Sequence, residues 1–175
     1  MILDLAAPGL RSVVVFANRS NEAVAAFLKH MRADAVALGM LAQIFEVQGP
    51  GDFKAAFAAI RGANTQAILL PPEALIVSKR EAIAGFAQNH GLPLAVVSGG
   101  RALPASGLMA FGPARDEYAQ LAARCIDRIL KRAKPGDLAV EQTTCFKQVI
   151  NLKAAKALSL TIAPALLLRA GEVIQ

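Results

Sequence analysis

The feature that most constrains this chain is a rhythm. Short, unbroken apolar runs alternate with longer segments of helical periodicity. Ser12-Val13-Val14-Val15-Phe16-Ala17 is apolar at nearly every position and rich in β-branched residues. A strand with one wet face alternates apolar and polar residues; an unbroken run fits a strand covered on both faces, as in a parallel sheet. Asn18-Arg19-Ser20-Asn21 ends the run with side chains suited to capping a helix. Val24, Phe27, Leu28, Met31, Ala35 and Leu38 then follow at helical spacing, and Gly39 is the expected C-terminal stop. Leu41 to Val47 reads as a second strand.

The unit recurs. Gly49-Pro50-Gly51-Asp52 opens a helix with Phe53, Phe57 and Ile60 on one face. Ala67 to Leu70 is a third strand, stopped by Pro71-Pro72. One helix is expected from Ile76 to His90, burying Ile83, Phe86 and Ala87. Leu92 to Val97 is a fourth strand. After a loop through Ser98-Gly99-Gly100 and Pro104 to Gly107, Leu108 to Phe111 forms another. A long helix is expected from Arg115 to Arg132, with Tyr118, Leu121, Ala122, Cys125, Ile126 and Ile129 on one side. Val140 to Thr144 is extended, Phe146 to Asn151 is a strand, and two helices follow over 152–158 and 164–174. Strand–helix–strand units with short loops predict an α/β fold: three layers, a parallel sheet flanked by helices on both faces.

Composition limits the function classes. The chain has 175 residues, about one domain, and is 55% hydrophobic but only 5% aromatic and 18% charged. That excludes a disordered chain, and two cysteines exclude a disulfide scaffold. Neither Cys125 nor Cys145 belongs to a close Cys/His set, so both are expected as small core residues rather than zinc ligands. No run of about 18 uncharged apolar residues exists, so no membrane insertion is expected. Met1-Ile2-Leu3-Asp4-Leu5 lacks the basic, then long apolar, pattern of a secretory signal, and none is expected in this chain. So apolar a composition with so few aromatics suggests surface meant for burial against another domain or subunit. The net charge is +6, but the cations between Arg115 and Lys134 are mixed with acids and lack interleaved aromatics. They read as a solvated helix face and not as a nucleic-acid surface.

Catalytic motifs are absent. No nucleophile elbow, phosphate loop or dinucleotide fingerprint occurs, no acidic cluster ends the first strand, and no cofactor is implied. His30 and His90 sit late in, or on the outer face of, predicted helices. What remains is the edge at the C-terminal ends of the strands, where open α/β sheets bind ligands. Three loops leave it: Asn18 to Asn21, Pro71 to Ala74, and Ser98 to Gly100. Backbone N–H groups of the first loop, with Ser20, suit a carboxylate. Glu73 in the second suits an ammonium group. The alternative is structural: Ser20 or Asn21 caps a helix, and Glu73 favours a helix N-terminus.

The last third of the chain carries a resemblance. Gly107-Leu108-Met109-Ala110-Phe111-Gly112-Pro113, the stretch from Ile126 to Gln142, and Val149-Ile150-Asn151-Leu152-Lys153 with Ala155-Lys156-Ala157-Leu158 are similar to ABC-transporter substrate-binding proteins related to tryptophan and aromatic-amino-acid binders. Weaker similarity reaches back to about Pro8 and includes Gly49-Pro50-Gly51-Asp52-Phe53. The chain departs from the family at Ala114, where the family has Asn, and lacks the family's tyrosine near Val97; Glu73 matches its usual aspartate.

The resemblance implies a type I periplasmic-binding-protein fold, of which this chain corresponds to the C-terminal part. Residues 1–112 would form the second, ligand-binding lobe. Residues 113–140 would carry a helix that packs on the first lobe, and 141–175 the hinge return strand and C-terminal helices. The implied role is non-enzymatic: recognition of a small amino-acid-like ligand through Asn18, Ser20, Glu73 and Ser98, with an ABC permease as partner. The implied location is the periplasm, with the cytoplasm open for a chain lacking a signal. The alternatives are a truncated paralogue acting as a structural or regulatory homodimer through the 115–132 helix, and a small flavodoxin-like enzyme.

Overall fold

The computed structural model describes residues 9–98 and 103–175. Gly99 and Gly100, singled out in the third loop, lie outside the described residues. The chain runs β1 (Ser12–Asn18), α1 (Glu22–Ala37), β2 (Leu41–Val47), α2 (Asp52–Gly62), β3 (Ala67–Leu70), α3 (Ala74–Ser78), α4 (Arg80–Asn89), β4 (Leu94–Val97), β5 (Met109–Pro113) and α5 (Arg115–Leu130). A 3₁₀ turn at Pro135–Asp137 leads to β6 (Phe146–Asn151), α6 (Leu152–Ala157), α7 (Pro164–Leu168) and β7 (Glu172–Ile174). One seven-stranded sheet has the order β2-β1-β3-β4-β5-β6-β7. The first five strands are mutually parallel, so the α/β, three-layer expectation holds.

Two cores follow from strand alternation. Val13, Val15, Leu69, Ala95, Met109 and Ile150 point to one face, against Met31 and Ala35 of α1, Ala155 of α6 and Leu166 of α7. Val14, Phe16, Ile68, Leu70, Val96 and Ala110 point to the other, against Phe53 and Ile60 of α2, Ile76 of α3 and Ile83 of α4. Each of the larger side chains, Val, Leu, Ile, Phe or Met, contributes about 1.5–3 kcal/mol on burial. Local signals fix the ends. Asn21 caps α1 by accepting from the Ala23 N–H at 3.1 Å, and Gly39 follows α1 at φ +64°, a conformation that disfavours any side chain. Gly107 is a close approach: a Cβ there would lie 2.6 Å from Leu103 Cδ1, whose side chain would have to shift, and 3.2 Å from the Pro104 carbonyl oxygen.

Four expectations change. The helix expected over Ile76 to His90 is two helices, broken at Lys79 (φ −104°, ψ 6°). Ile76 and Ile83 are a heptad apart, so apolar spacing does not reveal the break. The Ser78 hydroxyl donates to the Leu75 carbonyl at 2.7 Å and competes with the helical ladder. The helix expected over 164–174 stops at Leu168; the Gly171 N–H donates to the Gln148 carbonyl and begins β7 on β6. β6 runs antiparallel to β5, so the sheet is mostly, not wholly, parallel. Finally, Cys125 is half-buried and Cys145 exposed; neither is a core residue, because neither core includes any residue of α5 or of the segment that leads from it to β6.

That helix stands apart. None of its described residues is buried, and Tyr118, Ile126, Ile129 and Leu130 are 53%, 57%, 41% and 79% exposed. Polar contacts hold it. Glu117 accepts from the Thr144 N–H (3.1 Å to each oxygen), the Thr144 hydroxyl (3.1 Å) and the Cys145 N–H (2.9 Å). Lys147 pairs with Asp116 at 3.0 Å and Arg124 with Glu141 at 3.2 Å. The Ala114 N–H donates to the Cys145 carbonyl at 2.9 Å. The N–H groups of Cys145 and Thr144 hold the Glu117 carboxyl below the usual carboxylate range.

Two outcomes are expected. Ile68→Ala, in a strand buried on both faces, will lower stability by about 2–5 kcal/mol in urea unfolding. The Glu117 latch has a depressed folded-state pKa, so its contribution is complete above the unfolded carboxylate value of about 4.3 and is lost as pH falls through the lower folded value. The Thr144 and Cys145 amide resonances will therefore titrate with a midpoint below that of a free glutamate. A midpoint at or above it would contradict the latch.

Candidate functional site

The C-terminal ends of β1, β3, β4 and β5 and the start of β6 all lie along one edge of the sheet. Strands 4.8 Å apart place the ends of β1 and β4 about 10 Å from each other. Asn18 closes β1, Glu73 follows β3 after Pro71-Pro72, and Ser98 follows β4. Three of the four expected contact residues therefore lie at or just beyond the ends of successive neighbouring strands, and Ser20 lies two residues beyond β1.

Asn18 and Glu73 are joined directly. Asn18 Nδ2 donates to Glu73 Oε1 at 2.9 Å, and the Ile76 N–H donates to Glu73 Oε2 at 3.0 Å. Glu73 is thus the N-cap of α3 and is 5% exposed. Both its oxygens serve the fold, yet a carboxylate has about four acceptor directions, and two bonds leave capacity for a further donor. Asn18 Oδ1 accepts from the Ser20 N–H at 3.0 Å.

The loop that suited a carboxylate is largely occupied by its own bonds. The Asn21 N–H donates to the Asn18 carbonyl, Ala23 N–H to the Asn21 side chain, and Val24 N–H to the Asn21 carbonyl. Asn21, not Ser20, caps α1. Ser20 is exposed, and among the described residues its hydroxyl has no hydrogen-bond partner. Beside it Arg19 pairs with Glu46 at 2.7 Å in the open. Ser98 is half-buried, with its N–H on the Val96 carbonyl at 3.1 Å.

Sequence reasoning missed an aromatic pair on the same edge. Phe111 and Phe146 stack at 5.6 Å with planes 11° apart, and both are exposed, at 36% and 55%. Phe111 faces Gln148 across the ladder and Pro113 faces Phe146, so the rings are diagonal neighbours on one face. Gln148 is 7% exposed, and among the described residues its buried Nε2 has no partner. The available signal was Phe111 at the end of a strand, just before Gly112-Pro113. Among the described residues no cluster of His, Cys, Asp and Glu can hold a metal, and no helix is long and apolar enough to cross a membrane.

Known structures share the fold. The chain superposes with a TM-score of 0.90 on a Streptococcus pneumonia "ABC domain in complex with L-Trp", at 22% identity, covering 99% of this chain and 58% of that one. It matches a Vibrio cholerae O1 biovar El Tor conserved domain protein with a TM-score of 0.89 at 20% identity (98% and 57% covered). It also matches the ligand-free, open form of CD0873, a Clostridium difficile substrate binding protein with adhesive properties, at 0.73 and 15% identity (99% and 58%). The chain spans less than 60% of the length of each. No curated protein matches it. The family model for "ABC transporter substrate binding protein" matches residues 2–174, virtually the entire chain. The chain belongs to the ABC transporter substrate-binding protein family.

Proposed function

We propose that this chain recognises a small amino-acid-like solute at the C-terminal edge of its sheet, for delivery to an ABC permease outside the cytoplasmic membrane. The observation that carries this reading is the Asn18–Glu73 pair: a buried carboxylate, oriented by two bonds, at the edge where such sheets bind ligands. Glu73 would accept from the solute's ammonium group; Asn18, Ser20 and Ser98 would contact its other polar atoms. The L-Trp held by the pneumococcal protein supports a ligand of this class. In this reading the ligand leaves unchanged, as fits a substrate-binding family. Binding acts through closure, which a ligand drives only by preferring the closed form.

The lobe assignment completes the proposal. Residues 1–112 form the ligand-binding lobe, 113–140 reach to a first lobe, and 141–175 return. The 58% coverage of the pneumococcal chain leaves room for that first lobe, and the exposed apolar side of α5 suits a covering partner.

Calorimetry against the common L-amino acids, L-Trp included, tests the reading. At least one will bind. Glu73→Gln keeps an acceptor for the Ile76 N–H but removes the charge, and will weaken that binding by about tenfold or more. No heat with any amino acid, or unchanged affinity in Glu73→Gln, would count against it.

A second reading is favoured by α5 itself. Its exposed Tyr118, Ile126, Ile129 and Leu130 suit a homodimer that covers this side, the chain then being a non-catalytic structural or regulatory paralogue. Sedimentation at micromolar concentration will then show a dimer, dissociated by Ile126→Glu. A monomer would end this alternative.

A further inference from the structure

On the face opposite α1, α6 and α7, α2 and α4 lie side by side, and a groove of about 370 Å³ is lined by both. That volume is within the range of small-molecule sites, about 300–1,000 Å³. Its floor is aromatic. Phe57 of α2 and Phe86 of α4, both half-buried, stack at 4.5 Å with planes only 8° apart. His90 extends the column, 4.3 Å from Phe86. Its Nδ1 lies 2.8 Å from the Phe86 carbonyl. A carbonyl only accepts, so Nδ1 carries the proton and the ring is held in the stack.

The rim is cationic. Lys54 and Arg61 both line the groove and are exposed. Seven residues separate them along one helix, two turns or about 10.5 Å. α2 and α4 each follow the C-terminal end of one parallel strand and precede the next. They therefore run in the same direction, and Arg61 and His90 share one end of the groove while Lys54 marks the other. Arg19, Arg80, Arg124, Lys131 and Lys147 all have carboxylate partners. Lys54 and Arg61, like most of the described lysines and arginines, have none, so both are available to a ligand.

We infer that this groove is a second binding site, for a free, planar organic anion with acidic groups at its two ends. The apolar body would lie on the Phe57–Phe86 floor. One carboxylate would meet the Arg61 guanidinium, whose fork suits two parallel hydrogen bonds, and the other the Lys54 ammonium. The site uses none of the residues of the solute-binding edge and stands independently of that reading.

The experiment is an amide-resonance titration of the whole chain with terephthalate, which has a flat ring between two carboxylates. Terephthalamide supplies the ring without charge, and succinate two charges without a ring. Saturable shifts are expected in residues 54–61 and 86–90, with terephthalate binding about tenfold more tightly than either control. Lys54→Gln and Arg61→Gln, both at exposed positions, will each weaken it about threefold, as for solvent-exposed ion pairs. Glu73→Gln will leave it unchanged. Equal binding of terephthalamide, equal binding of succinate, insensitivity to both cation variants, or shifts spread over other basic surfaces would each overturn the inference.

Discussion

Burial of β1 and β3 on both faces is the constraint from which the rest of the architecture follows. Val13, Val14, Val15 and Phe16 have no exposed surface, and Ala67 to Leu70 are at most 7% exposed. Strands without a wet face need a helical layer on each side, which parallel crossovers supply. The two layers are α1, α6 and α7 on one side and α2, α3 and α4 on the other. Parallel strands also align their C-terminal ends. Asn18, Pro71 and Ser98 all lie where strands end at this edge, and polar loop residues collect along it. The candidate site is thus a geometric consequence of how the core is covered.

At that edge Glu73 has two connected roles. As N-cap it satisfies the Ile76 N–H, and as the partner of Asn18 it fixes the end of β1 against the start of α3. A carboxylate at 5% exposure is costly unless hydrogen-bonded, and these two bonds offset that cost. They also restrict the side chain to one orientation. A group held this way needs little further ordering when a ligand's donor reaches it, which favours affinity through preorganisation. The structural and ligand-binding interpretations of Glu73 are therefore compatible.

Much of this was legible in the sequence, and the limits have physical causes. The unbroken runs at 12–17 and 67–70 announced doubly covered strands, and Gly39 announced the end of α1. Asn18 and Glu73 were legible as loop residues, but the bond between them was not: 55 positions separate them, and only the β1–β3 pairing brings them together. The break at Lys79 was hidden because Ile76 and Ile83 keep their phase across it. β7 was hidden because Glu172-Val173-Ile174 is too short to show a period; its pairing with β6 defines it as a strand. The Phe111–Phe146 stack depends on an antiparallel register that alternation on either strand alone does not specify.

The cysteines show the same distinction from the other side. Cys125 lies on a helical stripe with Tyr118, Leu121 and Ile129, and such a stripe normally indicates a core face. Periodicity reports that a face is apolar; what covers it is a tertiary fact. Here α5 is held by Glu117, Asp116 and Arg124 through polar contacts at its base and along the 141–147 segment. Polar latches of this kind are directional, while apolar burial is not. Glu117 grips Thr144 and Cys145, where the chain returns to β6, and Ala114, where it leaves β5, donates to Cys145. The excursion from 115 to 145 is consequently fixed at its root by hydrogen bonds and left with an uncovered apolar side. That combination sets the helix's direction without the sheet having to bury it, and leaves its apolar side exposed.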